Sequence, residues 1–373
     1  MAKRAIFEEV STTKVAAPAA PAAEVREWRV AIAAWLWGLA GLVAVMVLVG
    51  GLTRLTDSGL SITEWAPVMG AVPPLSDADW QAAFAAYQTT TEFQEQNSWM
   101  TLADFKPIFW WEWGHRQLGR LIGLVWFLGF VSFLAARAIP RGWIWRLVLP
   151  GALGGVQGAV GWWMVASGLD QLDVASYRLA THLGLAIVIL MLLAWFAQKI
   201  RLDPVGVLDA RRRRPEGLMS ISAALVGLVF LQILAGALVA GIDAGEAYAE
   251  WPLMGGQLVP PQFWVLEPGW RNLFENAGTV QFVHRVLGYL AVAATVIFVL
   301  RARGSGHEVI RGRCIAVGAM MLVQASIGIV TVVLAARLEA AILHQAGAVV
   351  LICLMMRARF AIAYPPAQRI ARA

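Results

Sequence analysis

Residues 109–136 read FWWEWGHRQLGRLIGLVWFLGFVSFLAA. Glu112, His115, Arg116 and Arg120 stand where an uncharged apolar stretch begins. Ionisable side chains are expensive in a bilayer, so they mark a membrane boundary or a functional site. The apolar half of this segment has counterparts along the whole chain. Runs of about 20 apolar residues suffice to span a bilayer as helices. Eight occur, at 30–52, 115–136, 144–166, 180–198, 218–241, 282–300, 313–335 and 341–356. Of the 373 residues, 59% are hydrophobic and 14% charged, whereas a soluble domain is about a quarter charged. The expectation is an all-α polytopic membrane protein.

The net charge of +6 does not indicate a nucleic-acid footprint. With the N-terminus placed in the cytoplasm, the inner loops and tails hold 22 of the 30 Lys and Arg. That is the positive-inside bias, and it puts both termini in the cytoplasm. The Ala- and Pro-rich stretch within 1–29 reads as a disordered tail. It lacks an Arg- and Ser-rich amphipathic transit pattern, which favours a bacterial inner membrane. Both cysteines, Cys314 and Cys353, fall inside predicted spans, so the outer loops can form no disulfide.

The chain repeats itself. GLTRLTDSGLSITEWAPVMGAVPP (51–74) matches ALVAGIDAGEAYAEWPLMGGQLVPP (237–261), aligning Asp57 with Asp243 and Glu64-Trp65 with Glu250-Trp251. His115-Arg-Gln-Leu-Gly119 matches His284-Arg-Val-Leu-Gly288, and the segment at His182 matches that at His344. The expected organisation is two four-helix bundles, 30–200 and 218–360. A basic linker, 201–217, joins them, and 361–373 forms a cytoplasmic tail. Four helices per repeat returns the chain to the same side, so the repeats are parallel.

Each of His115, His182, His284 and His344 opens an even-numbered span, near the outer face. Imidazole is the commonest metal ligand. Zinc wants three or four ligands on one ion. Two histidines from two helices in each half instead suit a haem held across a bundle core. Gly119 and Gly288, four residues after their histidines, leave room for a macrocycle or for close helix packing. Arg116 and Arg285 stand where haem propionates would reach water. The halves differ at one ionisable position: Glu112 lies three residues before His115, and Gln281 three before His284. A carboxylate can take a proton or stabilise a cation, and an amide can do neither. This suggests one working and one supporting site. In the first outer loop, Trp80, Phe84 and Tyr87 at helical spacing predict an amphipathic segment lying on the interface.

The motifs EWGHRQLGRLIG, THLGLA, QILAGALVAGIDAG, EWPLMGG, VQFVHRVLGY and LHQAGA resemble haem A synthases of the mitochondrial and alphaproteobacterial form, over residues 30–356. The resemblance implies oxidation of a porphyrin methyl of haem O to a formyl group. It passes through two hydroxylations and a gem-diol, with water as oxygen source, and supplies haem A to terminal oxidases. It implies haem b between His284 and His344, with Arg285 beside it. Substrate haem O would lie between His115 and His182, with Arg116 beside it, and Glu112 would be the catalytic residue. It also implies haem O synthase as a partner. The electron acceptor and any homo-oligomer stay open. Some members carry cysteine pairs in the outer loops, which this chain lacks. The competing readings are a bis-histidine dihaem electron-transfer cytochrome, a haem carrier and a parallel-repeat transporter. The first two would leave the haem unchanged. The third would bind substrate near the bilayer midplane.

Overall fold

The computed structural model describes residues 21–172 and 174–366. Eight long helices carry the fold: α1 (Pro21–Leu55), α2 (Leu102–Ala135), α3 (Ile144–Ala166), α4 (Ser176–Lys199), α5 (Glu216–Gly241), α6 (Ala277–Arg303), α7 (Glu308–Val333) and α8 (Leu338–Ala363). Among the described residues there is no β-strand, only a bridge between Met254 and Gln257. Seven of the eight are long and apolar enough to cross a membrane. The exception is α3. Its 23 residues extend roughly 35 Å, but five glycines and Gln157 dilute its apolar character.

Helices α1 to α4 pack in a closed ring, α1 on α2, α2 on α3, α3 on α4 and α4 on α1. Helices α5 to α8 close a second ring in the same order. Contacts of α4 with α5 and α8, and of α1 with α8, join them. The core runs through this joint, where Ile187, Leu190, Leu225, Ile352 and Met355 are almost wholly buried.

Two boundaries depart from the sequence reading. Helix α1 already begins at Pro21, so 21–29 is helical rather than part of a tail. Residues 1–20 and 367–373, the rest of the expected tails, lie outside the described residues. Helix α2 starts at Leu102, well before the apolar run. Thr101 and Asp104 form a reciprocal capping box there, with Asp104 accepting from Thr101 N at 2.9 Å. The outer extension of α2 is then held by side-chain packing. Phe105, Ile108 and Phe109 bury against Trp80, Phe84, Tyr87 and Phe93.

Trp80, Phe84 and Tyr87 belong to a separate helix, Asp77–Gln88. Its apolar face is covered by protein rather than by the membrane interface. Trp80 meets Phe109 edge to face at 5.0 Å, and Tyr87 stacks on Phe105 at 5.3 Å. Each such pair adds about 0.5–1.5 kcal/mol beyond area burial. The loop between α1 and α2 is thus pinned to the first turns of α2.

Candidate active site

Because α2 reaches back to Leu102, Glu112 and His115 lie on one continuous helix, one turn apart. Glu112 is only 4% exposed. Its Oε1 accepts from Arg116 Nε at 2.6 Å, and its Oε2 lies 3.8 Å from His115 Nδ1. The latter is too long for a hydrogen bond but close enough for charge to be felt across the gap. His182 lies within electrostatic reach of both His115 and Glu112. In the second ring of helices, the His284 and His344 rings meet edge to face with centroids 6.4 Å apart.

Each histidine leans on a glycine of the preceding long helix. A Cβ built at Gly161, Gly236 or Gly328 would sit 3.0, 3.0 or 2.8 Å from Cε1 of His182, His284 or His344. At Gly50 it would sit 3.3 Å from His115 Nε2, so His115 presents a different edge. No side chain larger than hydrogen fits these cradles without moving a ring.

The same helices carry a side chain one turn before the glycine, namely Met46, Gln157, Gln232 and Gln324. Gln157 Nε2 donates to the His182 carbonyl at 3.0 Å, and Gln324 Nε2 donates to the His344 carbonyl at 2.9 Å. Gln232 Nε2 lies 3.3 Å from His284 Nε2. The signal is legible as QGAVG, QILAG, QASIG and MVLVG, four residues from amide or thioether to glycine. The sequence reading did not use it. The room beside Gly119 and Gly288 is occupied by Met46 and Gln232 respectively.

Arg116 and Arg285 hold the loops that precede α2 and α6. Arg116 donates to the Ile62 and Glu64 carbonyls at 2.8 and 2.9 Å. Arg285 donates to the Tyr248 and Leu253 carbonyls, each at 3.0 Å. Arg116 Nε is taken by Glu112, whereas Arg285 Nε and Gln281 Oε1 are buried without a hydrogen-bond partner. The cavity under the first loop is about 380 Å³ and is lined by Ile62, Val72, Phe109, Trp113, Arg116 and Arg120. Its counterpart under the second loop is about 190 Å³. There Tyr289 stands where Arg120 does, and its hydroxyl accepts from Trp251 Nε1 at 3.0 Å.

Among the described residues, no three His, Cys, Asp or Glu side chains converge to hold a bare metal ion. The donor set fits a group taken between two imidazoles. His182 and His284 each keep a buried Nδ1 without a partner, and the glycine cradles set the ring positions.

A model of the cytochrome oxidase assembly protein family matches residues 33–356. The chain is 55% identical to a haem A synthase of Ruegeria sp. (strain TM1040), covering 99% of both chains. It is 57% identical to that of Ruegeria pomeroyi over 99% of both chains. It is 51% identical to that of Paracoccus denitrificans over 98% of this chain and 97% of the relative. The chain belongs to the haem A synthase family. Free Cys314 and Cys353 lie inside α7 and α8, away from the loops.

Proposed function

We propose that this protein oxidises a porphyrin methyl group of haem O to the formyl group of haem A, with the first ring of helices as the reaction chamber. All eight long helices, α3 included, span a bacterial inner membrane in this reading. They form two parallel four-helix repeats, and both termini are cytoplasmic. The closed packing of α1–α4 and of α5–α8 supports the repeat. So does the left-handed backbone shared by the equivalent Asp57 and Asp243, with φ of 47° and 49°.

Substrate haem O lies between His115 and His182. His284 and His344 hold haem b, which supplies a one-electron relay when bound. Arg285 Nε, buried and unpaired, is the free donor on that side for a carboxylate of the group. The observation that carries the assignment is Glu112. It is a buried carboxylate, fixed by Arg116, beside His115 and absent beside His284.

Each hydroxylation adds a water oxygen to the substrate's methyl carbon and releases two electrons, which pass to an external electron acceptor, and two protons. The second gives a gem-diol, which loses water to the aldehyde. As electrons leave, positive charge grows at that carbon. A fixed carboxylate stabilises such charge and accepts the proton released. Arg116 holds Glu112 in place and ties it to the loop that roofs the cavity. The aromatic lid over α2 excludes bulk water, which strengthens the electrostatics inside.

The test is pigment analysis. The protein is expressed with a haem O source, its haems are extracted in acid acetone, and they are separated with mass detection. Haem A is expected from the unmodified chain. Glu112→Gln is expected to keep its haems yet lose roughly two to four orders of magnitude in haem A formation. Normal haem A output from that variant would sink the role given to Glu112.

A further inference from the structure

The two helix rings agree at Gln157 and Gln324, which grip a histidine carbonyl in the same way. They part at the equivalent pair facing α2 and α6, where the first ring has Met46 and the second Gln232. These two side chains occupy the same place. Met46 Cε lies 3.4 Å from a Cβ built at Gly119, and Gln232 Nε2 lies 3.3 Å from one built at Gly288. Both sit one helical turn to the cytoplasmic side of the cradling glycine. The first presents a methyl group on a pliable thioether. The second presents an amide whose Oε1 is buried without a partner.

Haem O differs from haem b chiefly by a long farnesyl chain. We infer that residues 46 and 232 sort the two haems. Met46 gives the prenyl chain an apolar, adaptable wall in the first ring. Gln232 bars that chain from the second. This rests on the placement of haem O and haem b proposed above. An amide pressed against an alkyl chain is stripped of water and gains no hydrogen bond, so it opposes the prenylated ligand. A haem without the chain presses no alkyl group against the amide and meets no such penalty. Discrimination by one such group is on the order of ten-fold.

The experiment compares bound pigment in full-length protein purified from cells that make haem O. It reads the ratio of haem O plus haem A to haem b, together with haem b per chain. The unmodified protein is expected near one to one. Met46→Gln, a near-isosteric change, is expected to lower the ratio about ten-fold while haem b per chain is unchanged, which also reports folding. Met46→Leu keeps the wall apolar and is expected to keep the ratio. Gln232→Met is expected to raise the prenylated share at the expense of haem b. If Met46→Gln and Gln232→Met both leave the ratio at the unmodified value, the sorting role is overturned and the site assignment stands. If the unmodified protein holds neither haem O nor haem A, the site assignment itself falls, and the sorting role falls with it.

Discussion

The two histidine sites are built on the same frame and differ at a handful of side chains. Both have a histidine on α2 or α6 followed by an arginine that holds loop carbonyls. Both have a second histidine on α4 or α8 cradled by a glycine. Around His115, however, stand a carboxylate, a thioether and the larger cavity. Around His284 stand two amides and a smaller cavity lined by Trp251 and Tyr289. The ionic pair Glu112–Arg116 is internally satisfied, while Gln281 Oε1 and Arg285 Nε are left without partners. Under the proposed function, both sites hold a macrocycle, and the differences at residues 46, 112 and 120 direct only the first towards chemistry.

The sharpest way to break this comparison is to exchange its decisive residue. Gln281→Glu restores a carboxylate in the second ring, beside the unpaired Arg285 Nε. Combined with Glu112→Gln, it is expected not to recover haem A formation, which stays down roughly two to four orders of magnitude, because the second ring does not receive haem O. Recovery of haem A in the double variant, read by extracted pigment, would show that the halves are interchangeable.

A smaller effect tests the cradles. Ala at Gly328 would bring a methyl within 2.8 Å of the His344 ring, and Ala at Gly50 would come within 3.3 Å of His115. The first must push a ring out of place at a cost of about 1–3 kcal/mol, and the second less. Gly328→Ala is expected to lose bound haem during purification before Gly50→Ala does. Gly41→Ala, with nothing within 4 Å of the added carbon, is expected to retain it. Equal retention by all three would remove the cradles from the account.

Seven of the eight expected spans and the Glu112/Gln281 contrast were legible in the sequence, from apolar length and one-turn spacing. The extent of α2 was not legible. Its outer turns are held by a capping box and by aromatic packing with a helix 14 or more residues upstream. Periodicity within one segment carries no trace of such contacts. The same packing moved Trp80, Phe84 and Tyr87 from the membrane interface to the protein interior. The arginines were read by charge, which suggests a propionate partner. The fold uses their fork shape on backbone carbonyls. The Gln-x-x-x-Gly pattern lay in plain view, but its meaning depends on which helix faces which histidine.

The smallest expected effect concerns how the two lids are fastened. In the first loop, the helix Asp77–Gln88 is capped by Ser76 and Asp79. Ser76 Oγ accepts from Asp79 N at 3.1 Å, and Asp79 Oδ2 accepts from Ser76 N at 2.9 Å. The Ser76 side chain and the Ser76 and Leu75 amides hold the Asp79 carboxyl below its ordinary value. In the second loop, the matching fastening uses amides. Asn272 Oδ1 accepts from Leu266 N at 2.9 Å, and Asn276 Nδ2 donates to the Gln262 carbonyl at 2.8 Å. A lowered carboxyl pKa contributes stability that is present above its unfolded value, near 3.9, and is lost as pH falls through the folded value. The amides do not titrate. Hydrogen exchange, corrected for intrinsic rates, is therefore expected to rise at residues 75–79 on acidification below about pH 4, while residues 262–266 and 276–279, held by the Asn272 and Asn276 amides, stay protected. Simultaneous loosening of both segments would mean that the lids open as one unit. The first ring would then have no separate gate over its carboxylate.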